Sequence, residues 1–273
     1  MSESMLRRVP VTRVGRTGLP EDAAAIEEPL EIRLHGTPFA VIMRTPGDDR
    51  ALAAGFLLSE GVIRTAGDVG AVEHCRHPHH PESHNVVDVY LLGEAAKTLP
   101  ERLDERRKVT TTSSCGLCGR VTIDSLKLRA EPLAVTWTMT SGVAARLPAE
   151  LRTRQGTFAE TGGLHGAGLF TPAGAHVRSA EDVGRHSAVD KVIGGMLLDD
   201  RLPLNDYALV VSGRTSFEIV QKAWIAGAGL ICAVSAPTSL AIDLATEAGI
   251  TLLGFTRDGG FNVYSHPERI GNI

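Results

Sequence analysis

The chain is 273 residues long, 43% apolar and carries a formal net charge of −4. That is the profile of a soluble globular protein with enough core for one large or two ordinary domains. The acidic balance excludes a general nucleic-acid binder, which needs a basic surface, so any anion site must be local. The longest uninterrupted apolar run, Ala223 to Val234, is twelve residues with two glycines, too short for the roughly 20 that span a bilayer.

The opening MSESMLRRVPVTRVGR has basic residues but no apolar run after them, so it does not read as a secretory signal. From Leu30 the pattern alternates through Ile32 and Leu34, turns at His35-Gly36-Thr37-Pro38, and resumes at Phe39, Val41 and Met43. This predicts a hairpin. Asp48 or Asp49 is placed to cap a helix carrying Leu52, Phe56, Leu57 and Leu58 and stopped by Gly61. A polar, His-rich loop over 74–85 precedes a strand at Val86–Leu92, and the charged run Glu101–Lys108 has helix-compatible spacing. Residues 1–108 are therefore expected to form a smaller α+β domain with an N-terminal extension.

Thr110 to Arg120 read TTTSSCGLCGR, with Arg106, Arg107 and Lys108 just before. Cys115 and Cys118 stand three apart among small residues, and nearby cations favour the thiolate, the nucleophilic form of a thiol. Residues 109–130 are read as a mobile CxxC loop. Four cysteines without a secretory signal suggest a reducing cytoplasm rather than a disulfide framework. Four readings stay open on the residues alone. The pair is a reactive dithiol, or half a zinc site completed from His74, Cys75, His77, His79, His80 and His84 (a stretch that also reads as a plain solvated loop), or a redox disulfide, or an inert loop. Against the redox disulfide, the pair does not follow a strand to open a helix.

Residues 131–273 change character. Apolar strands at Tyr207–Val211, Leu230–Val234 and Thr251–Phe255 alternate with helices near 216–227 and 239–248, the rhythm of an α/β domain with a mostly parallel sheet. Right-handed crossovers would gather the loops after those strands at one sheet edge, where ligands of open α/β sheets bind. Those loops carry Ser212, Gly213 and Arg214, then Ser235, then Thr256, Arg257, Asp258, Gly259 and Gly260. Hydroxyls, arginines and helix starts together suit a phosphate or nucleotide. His165, in the Gly-rich run TGGLHGAG, is expected to face the same cleft, although a tight turn would account for the glycines. In EDVGRHSAVDK, Arg185 and His186 begin an amphipathic helix, and the spacing of Asp182 and His186 allows an Asp–His pair. Cys232, Trp137, Trp224 and Phe217 read as core.

Taken together, CGLCG, TGGLHGAG, EDVGRHSAVDK, SGRTSFEIVQK, SAPTSLAIDLA and GFTRDGGFNVYSHPERI resemble the FdhD family, accessory sulfurtransferases for formate dehydrogenases. The resemblance runs from about Leu30 to the C-terminus. It implies that sulfane sulfur is taken from a cysteine desulfurase as a persulfide. The sulfur is then passed to a molybdenum (or tungsten) bis-molybdopterin guanine dinucleotide cofactor, bound as substrate. Cys115 would match the carrier and Cys118 would assist. Phe255 to Gly260 would match the family's cofactor-binding stretch, where a guanine nucleotide would also sit. The family's larger domain is similar to the cytidine deaminase fold. This chain lacks that enzyme class's H-x-E and P-C-x-x-C signature: Ala167 stands two after His165, so deaminase chemistry is not encoded. The alternative is a non-catalytic chaperone that holds and delivers the cofactor. A homodimer is expected only because two-fold pairs are the commonest assembly.

Overall fold

In a computed structural model, the described residues are 4–15, 17–75, 84–101, 103 and 131–272. The chain opens with an antiparallel pair, β1 (Leu6–Pro10) and β2 (Glu21–Ala25). The expected hairpin follows as β3 (Glu28–Leu34) and β4 (Thr37–Arg44). Next come helix α1 (Asp49–Ser59), β5 (Val69–His74), β6 (Val86–Leu91) and the short α2 (Gly93–Lys97). These strands form a four-stranded sheet in the order β4-β3-β6-β5. Leu30, Ile32 and Leu34 alternate onto its covered face, as period-two burial requires. At the inner end of the hairpin, the buried Arg44 guanidinium grips Asp49 at 2.8 and 2.9 Å, fixing the first turn of α1.

Beyond residue 131, a two-residue strand β7 (Met139–Thr140) leads into α3 (Ser141–Arg152) and α4 (Gly156–Thr161). Then follow β8 (His165–Phe170), β9 (His176–Asp182), α5 (Arg185–Leu198), β10 (Ala208–Val211), α6 (Phe217–Ala226) and β11 (Leu230–Ala233). The chain closes with α7 (Ser239–Glu247), β12 (Thr251–Arg257), β13 (Gly260–Ser265) and β14 (Ile270–Gly271). The second sheet has six strands in the order β13-β12-β11-β10-β8-β9.

This sheet is mixed rather than mostly parallel. The central trio β10, β11 and β12 is parallel, joined through α6 and α7 as the strand–helix rhythm predicts. On either side, β8 and β9 and then β13 run antiparallel. The β8–β9 and β12–β13 hairpins are joined by turns too short for a helical crossover, Arg257 pairing with Gly260 across a two-residue turn, whereas α5 carries the chain from β9 to β10. There Asp258 and Gly259 both take positive φ (54° and 81°), which suits a tight hairpin turn.

Helices α5, α6 and α7 cover one face of the sheet and α3 the other. The cluster on the α5 side is continuous with the core of the first sheet, joining Leu30, Ile32 and Leu57 to Val189, Val192 and Met196. Each such side chain stabilises the fold by about 1.5–3 kcal/mol when fully buried. Helix α5 therefore departs from the expected amphipathic form: it is buried from Ser187 through Leu197, because α1 lies on the side away from the sheet. Among the described residues, no helix is long and apolar enough to cross a membrane.

Candidate functional site

A cavity of about 760 Å³ opens at the carboxyl ends of the central strands. One wall is α3 and the segment after it, contributing Arg146, Arg152, Gln155 and Phe158; Arg152 lies over the Phe158 ring at 3.9 Å. The other wall holds His165, Ser212 and Val234, and the β12–β13 turn closes it with Thr256, Arg257, Asp258 and Gly259. Three loops separated in sequence thus meet here because parallel strands with same-handed crossovers share one edge.

The loops are tied to one another by backbone. Thr215 N donates to Ala236 O at 3.2 Å and Thr238 N to Thr215 O at 3.0 Å, so the loops after β10 and β11 form one lip. Phe255 N donates to Ser235 O at 3.2 Å, linking the third loop to the second. Ser212 Oγ accepts from Gly166 N at 2.8 Å, which leaves the serine fixed against β8. The cap of α7 is Thr238, whose side chain accepts from Ala241 N.

Of the residues singled out from the sequence, His165, Ser212, Thr256, Arg257, Asp258 and Gly259 share the lining. Gly213, Arg214 and Arg185 stand directly behind His165: a Cβ on Gly213 would lie 3.4 Å from its Nδ1 and 3.9 Å from Arg185 Cδ. Burial, and then the Arg185 charge, hold the His165 imidazole below its ordinary pKa; Asp182 opposes them and Arg214 adds to them. At neutral pH this ring is an uncharged hydrogen-bonding group in a positive field. Phe255, Ser235 and Gly260 sit off the lining; Phe255 is partly exposed in a left-handed conformation (φ 52°).

His186 makes a different set of contacts. Its Nε2 meets Ser216 Oγ at 3.2 Å, and Glu218 Oε2 approaches the same nitrogen at 3.8 Å. A hydroxyl–imidazole–carboxylate relay needs the acid on the other nitrogen, so no such relay is formed. Burial first, then Arg185 and Lys222, push the His186 pKa down to about 4.

The expected Asp182–His186 pair does not form. Asp182 is fully buried and meets Lys191 Nζ at 2.8 Å, while accepting from Gly184 N at 2.8 Å and Thr45 N at 3.2 Å. A buried carboxylate needs a counter-charge, and Lys191, nine residues along, supplies it. Glu181 is used structurally too, accepting from Thr157 N and Phe158 N at 3.0 and 2.7 Å at the start of α4. In the Gly-rich run only Gly162 has a positive φ (64°), closing α4. Gly166 is needed for closeness: a Cβ there would lie 2.5 Å from Gln155 Nε2.

Cys115 and Cys118 lie outside the described residues, as do the 109–130 segment, Arg106, Arg107, Lys108, His77, His79 and His80. His74 and His84 are described: His74 Nδ1 lies 3.1 Å from His84 O, and His84 Nε2 is 3.5 Å from Glu28. Cys232 is buried in β11 with its thiol pushed up to about 12 by that burial. The α3 wall went unread in the sequence. Its arginines look like ordinary helix surface, and nothing about a lone Gln155 signals burial.

The family model for the FdhD/NarQ family matches residues 25–271. The chain belongs to the FdhD/NarQ family. Among its relatives in that family, the sulfur carrier protein FdhD of Streptomyces coelicolor is 48% identical, covering 97% of this chain and 94% of that one. The protein of the same name from Nocardia farcinica is 48% identical over 93% of this chain and 90% of its own. The Mycobacterium tuberculosis FdhD is 45% identical over 91% and 92%. A crystal structure of a candidate formate dehydrogenase accessory protein from Desulfotalea psychrophila superposes with a TM-score of 0.73 at 27% identity, covering 97% of this chain and 98% of that one. The mixed α/β architecture is thus shared with a solved structure.

Proposed function

We propose that this chain is a sulfur carrier that serves formate dehydrogenase. It would accept sulfane sulfur from a cysteine desulfurase on Cys115 and pass it to a molybdenum or tungsten bis-molybdopterin guanine dinucleotide held at the strand ends. The observation that carries the reading is full-length membership of a family whose named relatives are sulfur carriers. The cavity supports it. A large, polyanionic cargo with flat heterocycles suits an apolar-walled space rimmed by Arg146, Arg152 and Arg257, and Arg185 and Arg214 add positive field behind His165. Similarity of the α/β half to the cytidine deaminase architecture belongs to the same reading, as fold without that chemistry.

In the proposed cycle, the Cys115 thiolate attacks the terminal sulfur of the donor persulfide. The donor's thiolate leaves and Cys115 holds the persulfide, with no net change in oxidation state. For delivery, the Cys118 thiolate attacks the Cys115 sulfur and expels the outer sulfur as sulfide onto the metal. The two electrons come from the cysteine pair, which closes as a disulfide and is reopened by a cellular dithiol.

Mass spectrometry after incubation with a desulfurase and cysteine should show added sulfur on Cys115. Cys115→Ala protein should neither gain that mass nor activate formate dehydrogenase. Full activation by Cys115→Ala, Cys118→Ala protein would instead make the chain a chaperone that delivers the cofactor without handling sulfur.

A further inference from the structure

Gln155 is a buried glutamine whose amide nitrogen has no partner among the described residues. It is 4% exposed and lines the cavity. Leaving such a donor unpaired is destabilising, so an apolar side chain would fit this position better. The fold nonetheless makes room for it. Residue 166 is glycine, and a Cβ there would come within 2.5 Å of the Gln155 amide nitrogen. The backbone at Gln155 is fixed at the start of α4, where its main-chain carbonyl accepts from Ala159 N at 3.0 Å. Around it the wall is mostly apolar, with Leu151, Leu164 and the Phe158 ring.

From these observations we infer that Gln155 donates to a ring carbonyl of the cavity's ligand, making it the residue that recognises the cargo's heterocycle. This rests on the cofactor-binding reading above. In that cargo the acceptor is the carbonyl of a ring lactam, a C=O beside an N–H. Guanine and the pterin both carry one, and adenine does not. An amide presents a donor and an acceptor in one plane, so it can meet both atoms of a lactam edge. A flat ring would slide between the α3 wall and the strand ends, leaving the phosphates toward Arg146, Arg152 and Arg257.

The test is calorimetric binding to the full-length protein of GDP, of 2-aminopurine riboside diphosphate (the same ring without the carbonyl), of a free pterin, and of pyrophosphate. Wild-type protein should prefer GDP over the carbonyl-free analogue, or bind the pterin, by about tenfold. Gln155→Met should abolish that preference, leave pyrophosphate binding unchanged, and melt no earlier than wild type. Gly166→Ala, which crowds the amide while keeping it, should erase the preference as well. The ligand whose affinity falls identifies the ring that enters. Equal preference in wild type and Gln155→Met would overturn the role of Gln155 while leaving the cofactor site standing. Loss of pyrophosphate binding together with a lower melting temperature would make Gln155 structural and overturn it too. Wild-type protein that binds neither ring would remove the cofactor-site reading along with this one.

Discussion

Gly55 and Gly194 meet where α1 crosses α5, so closely that a Cβ on Gly194 would overlap the amide nitrogen of Gly55. On the other side, a Cβ on Gly55 would overlap the Asp190 carbonyl. Backbones in such contact leave no room for even a methyl group. Gly194→Ala should therefore destabilise the protein by about 1–3 kcal/mol or more. The expected sign is a lower urea midpoint with an unchanged slope. Wild-type stability in Gly194→Ala would mean the helices can part without loss.

The buried pair beside this crossing offers a second check. Lys191 Nζ lies 2.8 Å from Asp182 and also donates to Thr45 O at 2.8 Å. Removing one partner leaves an uncompensated buried charge, so Lys191→Met alone should cost about 3–5 kcal/mol. Lys191→Met with Asp182→Asn should cost clearly less. A double-mutant cycle by chemical denaturation reads the difference; simple additivity would contradict the pairing.

These two cases also mark what the sequence makes legible. Strands β10, β11 and β12 were readable because each is a continuous apolar run bounded by Ser- or Gly-rich turns. The loops after them fell at one edge for reasons of handedness alone. Flanking strands β8, β9 and β13 were not, since antiparallel order depends on short turns rather than on apolar runs. The four-residue spacing of Asp182 and His186 suggests a helical pair, whereas Asp182 ends strand β9 and the helix that follows brings Lys191 to it. Gln155 left no trace: its burial comes from α3 and a glycine eleven residues on.

Stability should also depend on pH through His186. Its pKa is pushed from 6.5 to about 4 in the folded chain, so below about pH 6.5 the unfolded chain takes a proton that the folded one refuses. The stabilisation present above that pH is lost as pH falls toward 4, by about 1.4 kcal/mol per unit from this group. His186→Gln should flatten the slope in that window. An unchanged slope would show that the imidazole is not held neutral.

Thiol reactivity gives a fourth outcome. Cys232, buried and with its pKa near 12, has almost no thiolate at neutral pH. Native alkylation with iodoacetamide, read by peptide mass spectrometry, should mark Cys115 and Cys118 and spare Cys232 until the protein is unfolded. Native labelling of Cys232 would show that the sheet opens locally.

At the rim, Arg257→Ala should weaken GDP binding by about tenfold, the size of a charge-assisted hydrogen bond. The loss should shrink as salt rises, because exposed charges are screened. A salt-independent loss would point to a change in the β12–β13 turn rather than to a missing cation.

Helix α5 begins with Arg185 behind His165 and is packed farther along against α1, the helix of the first half of the molecule. Loss of the N-terminal sheet would therefore unseat the helix that sets the charge behind the cavity. Truncation of that half and a change in the electrostatic character of the strand-end cleft should arrive together.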